Sequence, residues 1–227
     1  MAGPSDQLKR QAADAALEHL PESGVVGLGS GSTAELFIAA VAKLVANGRQ
    51  LSGVATSDRS RQLAESLGIP LLADEGPWAI DVCVDGADEI SDRLDVIKGG
   101  GGCHTREKIV NAASRFNIIV ADDSKRSDVL GRRWAVPVEV LPFGHQSTLG
   151  KLRQLGPVEL RLRGGAPWMT DAGNYLYDVR LGPIDDPAGA DRQLKAVPGV
   201  VETGLFVDRT HLVLVAGAGG LERLTPG

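Results

Sequence analysis

The 227-residue chain is 43% hydrophobic and 23% charged, which excludes wholesale disorder and leaves enough length for a substantial core. Its 24 basic and 29 acidic side chains give a net charge of −5, which argues against a nucleic-acid or anionic-membrane partner while leaving room for a local basic pocket. Two cysteines, no apolar leader at the N-terminus and no window near ~18 uninterrupted apolar residues point to a soluble, reduced, cytoplasmic protein.

The first half alternates helical and strand patterns. Ser5 caps a helix through Leu8, Ala12, Ala15, Ala16 and His19 that Pro21 stops. Residues 24–28 read as a strand. Ser32-Thr33-Ala34-Glu35 reads as a capping box that opens a helix carrying Leu36, Ile38, Val41, Leu44 and Val45, closed at Gly48. A strand over 51–55 precedes a helix capped by Ser57 and ended by Gly68; a strand over 80–84 stops at Asp85-Gly86. A helix over 105–113 and an apolar strand over 116–121 complete the pattern, which is that of a parallel sheet covered on both faces.

After about residue 130 the strands, at 136–140, 158–163, 175–181 and 200–205, show more polar alternation, with helices over 146–155 and 191–196. Residues 210–216 are apolar again and fit a return to the first sheet. The expected architecture is a Rossmann-like α/β domain of residues 1–130 and 205–227. It is interrupted by a small α+β, ferredoxin-like domain of residues 131–204.

Three loops carry residues suited to chemistry. Gly29-Ser30-Gly31-Ser32-Thr33 lies between a strand and a helix, where glycines admit close backbone approach and the helix start favours an anion. Neither G-x-G-x-x-G nor the P-loop pattern is satisfied, so a phosphate monoester fits better than a nucleotide, the alternative being a tight turn. Asp85-Gly86-Ala87-Asp88 follows a strand expected to be central, where open α/β sheets bind ligands. Its carboxylates suit sugar hydroxyls or a divalent metal, or simply a turn. Lys98-Gly99-Gly100-Gly101-Gly102 is costly to order, so a casual flexible loop is a poor explanation. Glu107 falls in the first turn of the next helix, a place equally suited to a purely structural acid. Lys125 follows another strand end. The four histidines are dispersed and no second cysteine joins Cys103, so no metal ligand set and no thiol chemistry are expected.

GSGST at 29–33, TSD at 56–58, DGADEI at 85–90, KGGGG with TREK across 98–108 and ADDSK at 121–125 occur in that order. Together they resemble the ribose-5-phosphate isomerase A family, and matches at 137–140 and 198–206 extend the resemblance over essentially the whole chain. The resemblance implies metal-free, cofactor-free interconversion of ribose 5-phosphate and ribulose 5-phosphate through an enediolate, by a homodimer or homotetramer. It places the general base on Glu107 and substrate contacts on Ser30, Gly31, Ser32, Thr33, Asp85, Gly86, Ala87, Asp88, Lys98, Gly99, Gly100, Gly101 and Lys125, with Lys9 from the first helix. Asp85 would handle hydroxyl protons, with Asp88, and Lys98 would stabilise the enediolate oxygens. Gly102-Cys103-His104 departs from the small or apolar residues usual there, and no role follows for His104. Two other readings fit a related scaffold. A sugar-phosphate sensor would call for a DNA-binding segment that the N-terminus does not offer, and an acyl-CoA enzyme would call for a longer chain.

Overall fold

The computed structural model describes residues 4–226; residues 1–3 and 227, the ends of the expected α/β domain and part of the polar N-terminal stretch, lie outside them. In chain order the first elements are α1 (Pro4–Ala16), β1 (Ser23–Leu28), α2 (Ser32–Ala46), β2 (Gln50–Ala55), α3 (Asp58–Ser66) and β3 (Ile80–Asp85). Next come β4 (Glu89–Ile90), β5 (Val96–Ile97), α4 (His104–Ala112), β6 (Ser114–Asp122), β7 (Val136–Val140) and α5 (His145–Leu152). The remainder are β8 (Val158–Leu160), β9 (Leu162–Arg163), β10 (Ala166–Pro167), β11 (Tyr175–Val179), α6 (Pro187–Lys195), β12 (Val200–Thr203), β13 (Leu205–Phe206), β14 (Leu212–Gly217) and β15 (Gly220–Leu224).

The chain forms two compact units, one of residues 1–87, 106–125 and 209–227, the other of residues 88–105 and 126–208. The first is built on a six-stranded sheet ordered β15-β14-β6-β3-β1-β2. All neighbours are parallel except the edge hairpin β14–β15. The apolar run at 210–216 therefore does return to this sheet, pairing Leu212 with Ile118 and Leu214 with Val120. One core packs Ala12, Ala16, Phe37, Ile38 and Val41 of α1 and α2 against Val26, Leu28, Val84, Ile118 and Leu214. Burying a side chain such as Phe37 or Ile38 stabilises by about 1.5–3 kcal/mol. Val110 of α4 joins Val54, Ile80 and Cys83 in another cluster.

The second unit carries a four-stranded antiparallel sheet ordered β12-β7-β11-β8, with α5 and α6 in the two crossovers. That order and the β-α-β-β-α-β sequence are the ferredoxin-like arrangement. Its core joins Val136, Val138, Val140, Leu152, Tyr177, Val179 and Leu194. Burial pushes the Tyr177 phenol up, and its hydroxyl lies 2.7 Å from His145 Nδ1.

The unit boundary differs from the expected one. Residues 88–105 and 205–208 belong with the second unit, because β5 pairs with both β4 and β13 in a separate three-stranded sheet. Residues 126–130 join it as well. The fully buried Glu89 carboxylate accepts N–H groups from Gly131, Arg133 and Trp134, fixing the start of that segment. The capping box at Ser32 is also corrected: the N-cap of α2 is Gly31, which has no side chain to bond the first turn. At α6 a true cap appears instead, Asp186 accepting Gly189 N–H at 2.8 Å with Pro187 at the first position.

Candidate active site

In the first unit, β1 and β3 end side by side with Leu28 opposite Val84, so the loops that follow them emerge together at the carboxyl edge of the sheet. Gly29 N–H donates to the Val84 carbonyl at 3.0 Å, and Asp85 Oδ1 accepts from Ser30 N–H at 2.9 Å and from Gly86 N–H at 2.8 Å. The two loops are thus tied by the buried Asp85. A Cβ at Gly29 would lie 2.3 Å from Asp85 Oδ1, so only glycine permits that approach.

Ser30 does not spend its hydroxyl on open space. Its Oγ lies 2.8 Å from Thr56 Oγ1 and 2.8 Å from Ser57 Oγ, while Ser60 Oγ donates to the Gly29 carbonyl at 2.6 Å. This knot of hydroxyls from the β2–α3 connection and the first turn of α3 anchors the loop. Thr56, Ser57 and Ser60 brace this loop and were not among the expected site residues. The only signal was TSD at 56–58, legible as a helix cap, and Ser57 does cap α3 by accepting Ser60 N–H at 3.1 Å.

With its loop pinned, Gly31 enters α2 at φ +94°, in the region glycine favours. The first turn of α2 has no side-chain cap, so its N–H groups and the helix dipole suit an anion at Gly31, Ser32 and Thr33. Thr33 is buried, whereas Gly31 and Ser32 are exposed.

Glu107 lies in the first turn of α4 and is 5% exposed. The following Val110 packs into the sheet cluster, and Arg106 Nη1 donates to Asp58 at 2.7 Å at the start of α3. Lys125 closes a 3-10 turn after β6 in which Ser124 N–H donates to Asp122 Oδ1 at 3.1 Å. Lys9 sits half-buried in the middle of α1.

In the second unit, Lys98 is 4% exposed, its N–H donates to the Gly204 carbonyl at 2.9 Å, and its Nζ stands 5.6 Å from the Phe206 ring centre. Gly99 to Gly102 form a tight turn, Gly102 N–H donating to the Gly99 carbonyl at 3.0 Å. Asp88 Oδ2 accepts Gly100 N–H at 2.6 Å, and Asp88 N–H donates to Ile97 O at 2.8 Å, so Asp88 and the glycine turn hold each other. A Cβ at Gly99 would lie 2.7 Å from His104 Nδ1, on top of a φ of +106°. His104 is fully buried with Nε2 3.3 Å from the Glu202 carbonyl, which makes its ring a wall for the turn. The Cys103 thiol donates to the Gly101 carbonyl at 3.4 Å. The chain crosses between the units at 87/88 and again at 105/106.

Among the described residues no group of three or more His, Cys, Asp or Glu has metal-binding geometry, and no helix is long and apolar enough to cross a membrane. The first unit offers an uncapped helix start suited to an anion, a carboxylate braced by backbone amides and a buried glutamate; the second offers a carboxylate that accepts a glycine amide and a buried lysine next to a glycine turn.

A family model described as ribose 5-phosphate isomerase A (phosphoriboisomerase A) matches residues 52–220. Ribose-5-phosphate isomerase A of Rhizobium meliloti (strain 1021) is 44% identical over 227 residues, spanning 96% of this chain and 97% of its own. That of Desulfatibacillum aliphaticivorans is 46% identical over 223 residues, spanning 96% and 97%. A solved D-ribose-5-phosphate isomerase in complex with phospho-erythronic acid matches with a TM-score of 0.94 at 34% identity, over 98% of this chain and 100% of that one.

Proposed function

The chain belongs to the ribose 5-phosphate isomerase A family, and from that premise we propose that it interconverts ribose 5-phosphate and ribulose 5-phosphate. The observation that carries this reading is near-full-length identity to isomerases, 44% over 96% of the chain. The sensor and acyl-CoA readings are not favoured by those relatives. A related structure holding phospho-erythronic acid supports a sugar-phosphate ligand.

The chemistry assigns each group a task. Opening of the furanose frees the C1 aldehyde as a proton leaves O1 and another reaches the ring oxygen; Asp85 and Asp88 serve these hydroxyl protons. Glu107 takes the proton from C2, and the electron pair left behind forms the C1–C2 double bond of an enediolate while negative charge moves to O1. The O2 proton then passes by way of Asp85 or Asp88 to O1, and the charge left on O2 re-forms a carbonyl at C2 as the same carboxyl returns its proton to C1. Lys98 and the amides of Gly99, Gly100 and Gly101 stabilise the charged oxygens, the electrostatic contribution that is usually largest. Gly31, Ser32 and Thr33 hold the phosphate at the start of α2, with Ser30 fixing their loop and Lys125 and Lys9 adding positive charge. Gly86 and Ala87 present backbone to the sugar beside Asp85.

Nothing in this scheme passes through a metal. Purified protein given ribose 5-phosphate is expected to form a ketopentose phosphate at the same rate before and after exhaustive treatment with EDTA. No ketose would overturn the function; loss on chelation restored by a divalent ion would reassign Asp85 and Asp88 to a metal.

A cytoplasmic, self-associating enzyme is the accompanying reading. Phe143 is 94% exposed and Leu141 48% exposed just before α5, a costly surface for an isolated chain. Sedimentation is expected to give the mass of two or four chains, and Phe143→Asp to shift it toward one. A wild-type monomer would refute self-association.

A further inference from the structure

The proposed function gives the glycine turn amides to aim at a developing charge, and something must decide which way they point. Arg161, between β8 and β9, does so in this structure. Its guanidinium is clamped by Asp178 of β11, Nε to Oδ2 at 2.6 Å and Nη2 to Oδ1 at 2.7 Å. This two-point grip leaves Nη1 facing one way, where it donates to the carbonyls of both Gly99 (2.7 Å) and Gly100 (3.0 Å). Trp168 lies over the guanidinium at 5.8 Å, and its own N–H donates to the Arg161 carbonyl at 2.9 Å. The side chain is 12% exposed, so the bonds are shielded from water.

A trans peptide sets C=O of one residue antiparallel to N–H of the next. Turning the Gly99 carbonyl to Arg161 therefore turns Gly100 N–H the opposite way, and it meets Asp88 Oδ2 at 2.6 Å. Turning the Gly100 carbonyl to Arg161 likewise directs Gly101 N–H away from the guanidinium. Glycine flanked by glycine could flip either peptide at little steric cost. Without a tether the turn would sample orientations that present carbonyl oxygens to an anionic intermediate.

We propose that Arg161, oriented by Asp178, is a positioning residue for isomerisation: by holding the Gly99 and Gly100 carbonyls it aims the amides of Gly100 and Gly101, the first keeping Asp88 in place and the second facing the enediolate oxygens. This rests on the isomerase reading. A lysine could not substitute, because an ammonium lacks the planar fork that meets Asp178 and two carbonyls together.

The test compares wild type with Arg161→Ala, Arg161→Lys and the double variant Arg161→Ala/Asp178→Ala, which leaves no carboxylate unpaired. Each is checked for folding by its thermal midpoint and assayed for kcat and KM separately. Misplacement of catalytic groups by about 1 Å can cost on the order of 10²-fold, so kcat is expected to fall about 10–100-fold in all three. KM should change little, since the phosphate site lies elsewhere. Millimolar guanidinium should restore part of the rate to Arg161→Ala and none to Arg161→Lys. A merely structural arginine would lower the thermal midpoint and leave kcat of the folded protein and its guanidinium response unchanged, which would overturn the proposal. Wild type inactive on ribose 5-phosphate would overturn the function itself, a result distinct from an active wild type with indifferent variants.

Discussion

Glu107→Gln is expected to lower kcat by roughly 10²–10⁴-fold, the usual worth of a positioned general base, equivalent to about 3–5 kcal/mol of barrier. Glutamine keeps the shape and much of the hydrogen bonding of glutamate but cannot take a carbon-bound proton. The side chain is 5% exposed in the first turn of α4, a place where an acid can also serve the helix dipole. The two roles separate by measurement. A dipole partner would cost about 0.3–1 kcal/mol of stability and leave the rate nearly normal. A base costs rate with little change in stability, and substrate binding persists because phosphate and hydroxyl contacts remain. Steady-state kinetics on a variant of wild-type thermal midpoint decides between them; a near-normal kcat would pass the role of base to Asp85.

The second large effect is expected in binding. Gly31→Val should raise KM for ribose 5-phosphate by about 10–100-fold, and Thr33→Val by only a few-fold. No heavy atom lies within 4 Å of a Cβ built at Gly31, so the new side chain meets no steric wall. Its cost is conformational: φ is +94°, which a β-branched residue adopts with strain of about 1–3 kcal/mol. Relief comes by turning the peptide that opens α2, which withdraws amides from the phosphate, each charge-assisted bond being worth about 1.5–3 kcal/mol. Thr33→Val removes one hydroxyl and leaves the backbone intact. Titrations with ribose 5-phosphate rank the two; if both variants bind as wild type does, the phosphate is held elsewhere.

The parallel sheet was legible because each of its strands is long and apolar enough to show a period, and each is followed by helical spacing or a turn. The strands of 89–90, 96–97 and 205–206 were not, since two residues carry no period. Residues 89–90 pair locally with 96–97, but the pairing of 96–97 with 205–206 spans more than a hundred positions, and it groups residues 88–105 with the second unit. The same distinction holds at the site. Glycine loops and acids at strand ends announce themselves locally, and Gly29, Asp85 and Asp88 stand at such positions, whereas Glu107, in the first turn of α4, was singled out as a base only by the family resemblance. Residues that brace them do not. Ser30 meets Thr56 and Ser57 across 26 and 27 positions, and Arg161 reaches Gly99 across 62. A hydroxyl or a guanidinium whose partner is so remote reads as a solvated side chain until the chain is folded. The capping box at Ser32 failed by one position: Ser32 is already the first residue of α2, and the N-cap is Gly31, which has no side chain to bond the first turn.

Proton transfer at carbon by Glu107 during isomerisation of ribose 5-phosphate leaves an isotopic record. It is tested most directly by following the reaction in deuterated water by NMR, recording ketose formation and deuterium uptake at substrate carbon together, for wild type and for folded, substrate-binding Glu107→Gln. Wild type is expected to form ribulose 5-phosphate with solvent deuterium entering at carbon, and both signals should fall at least 10²-fold in the variant. Ketose formation by Glu107→Gln at the wild-type rate would contradict the account.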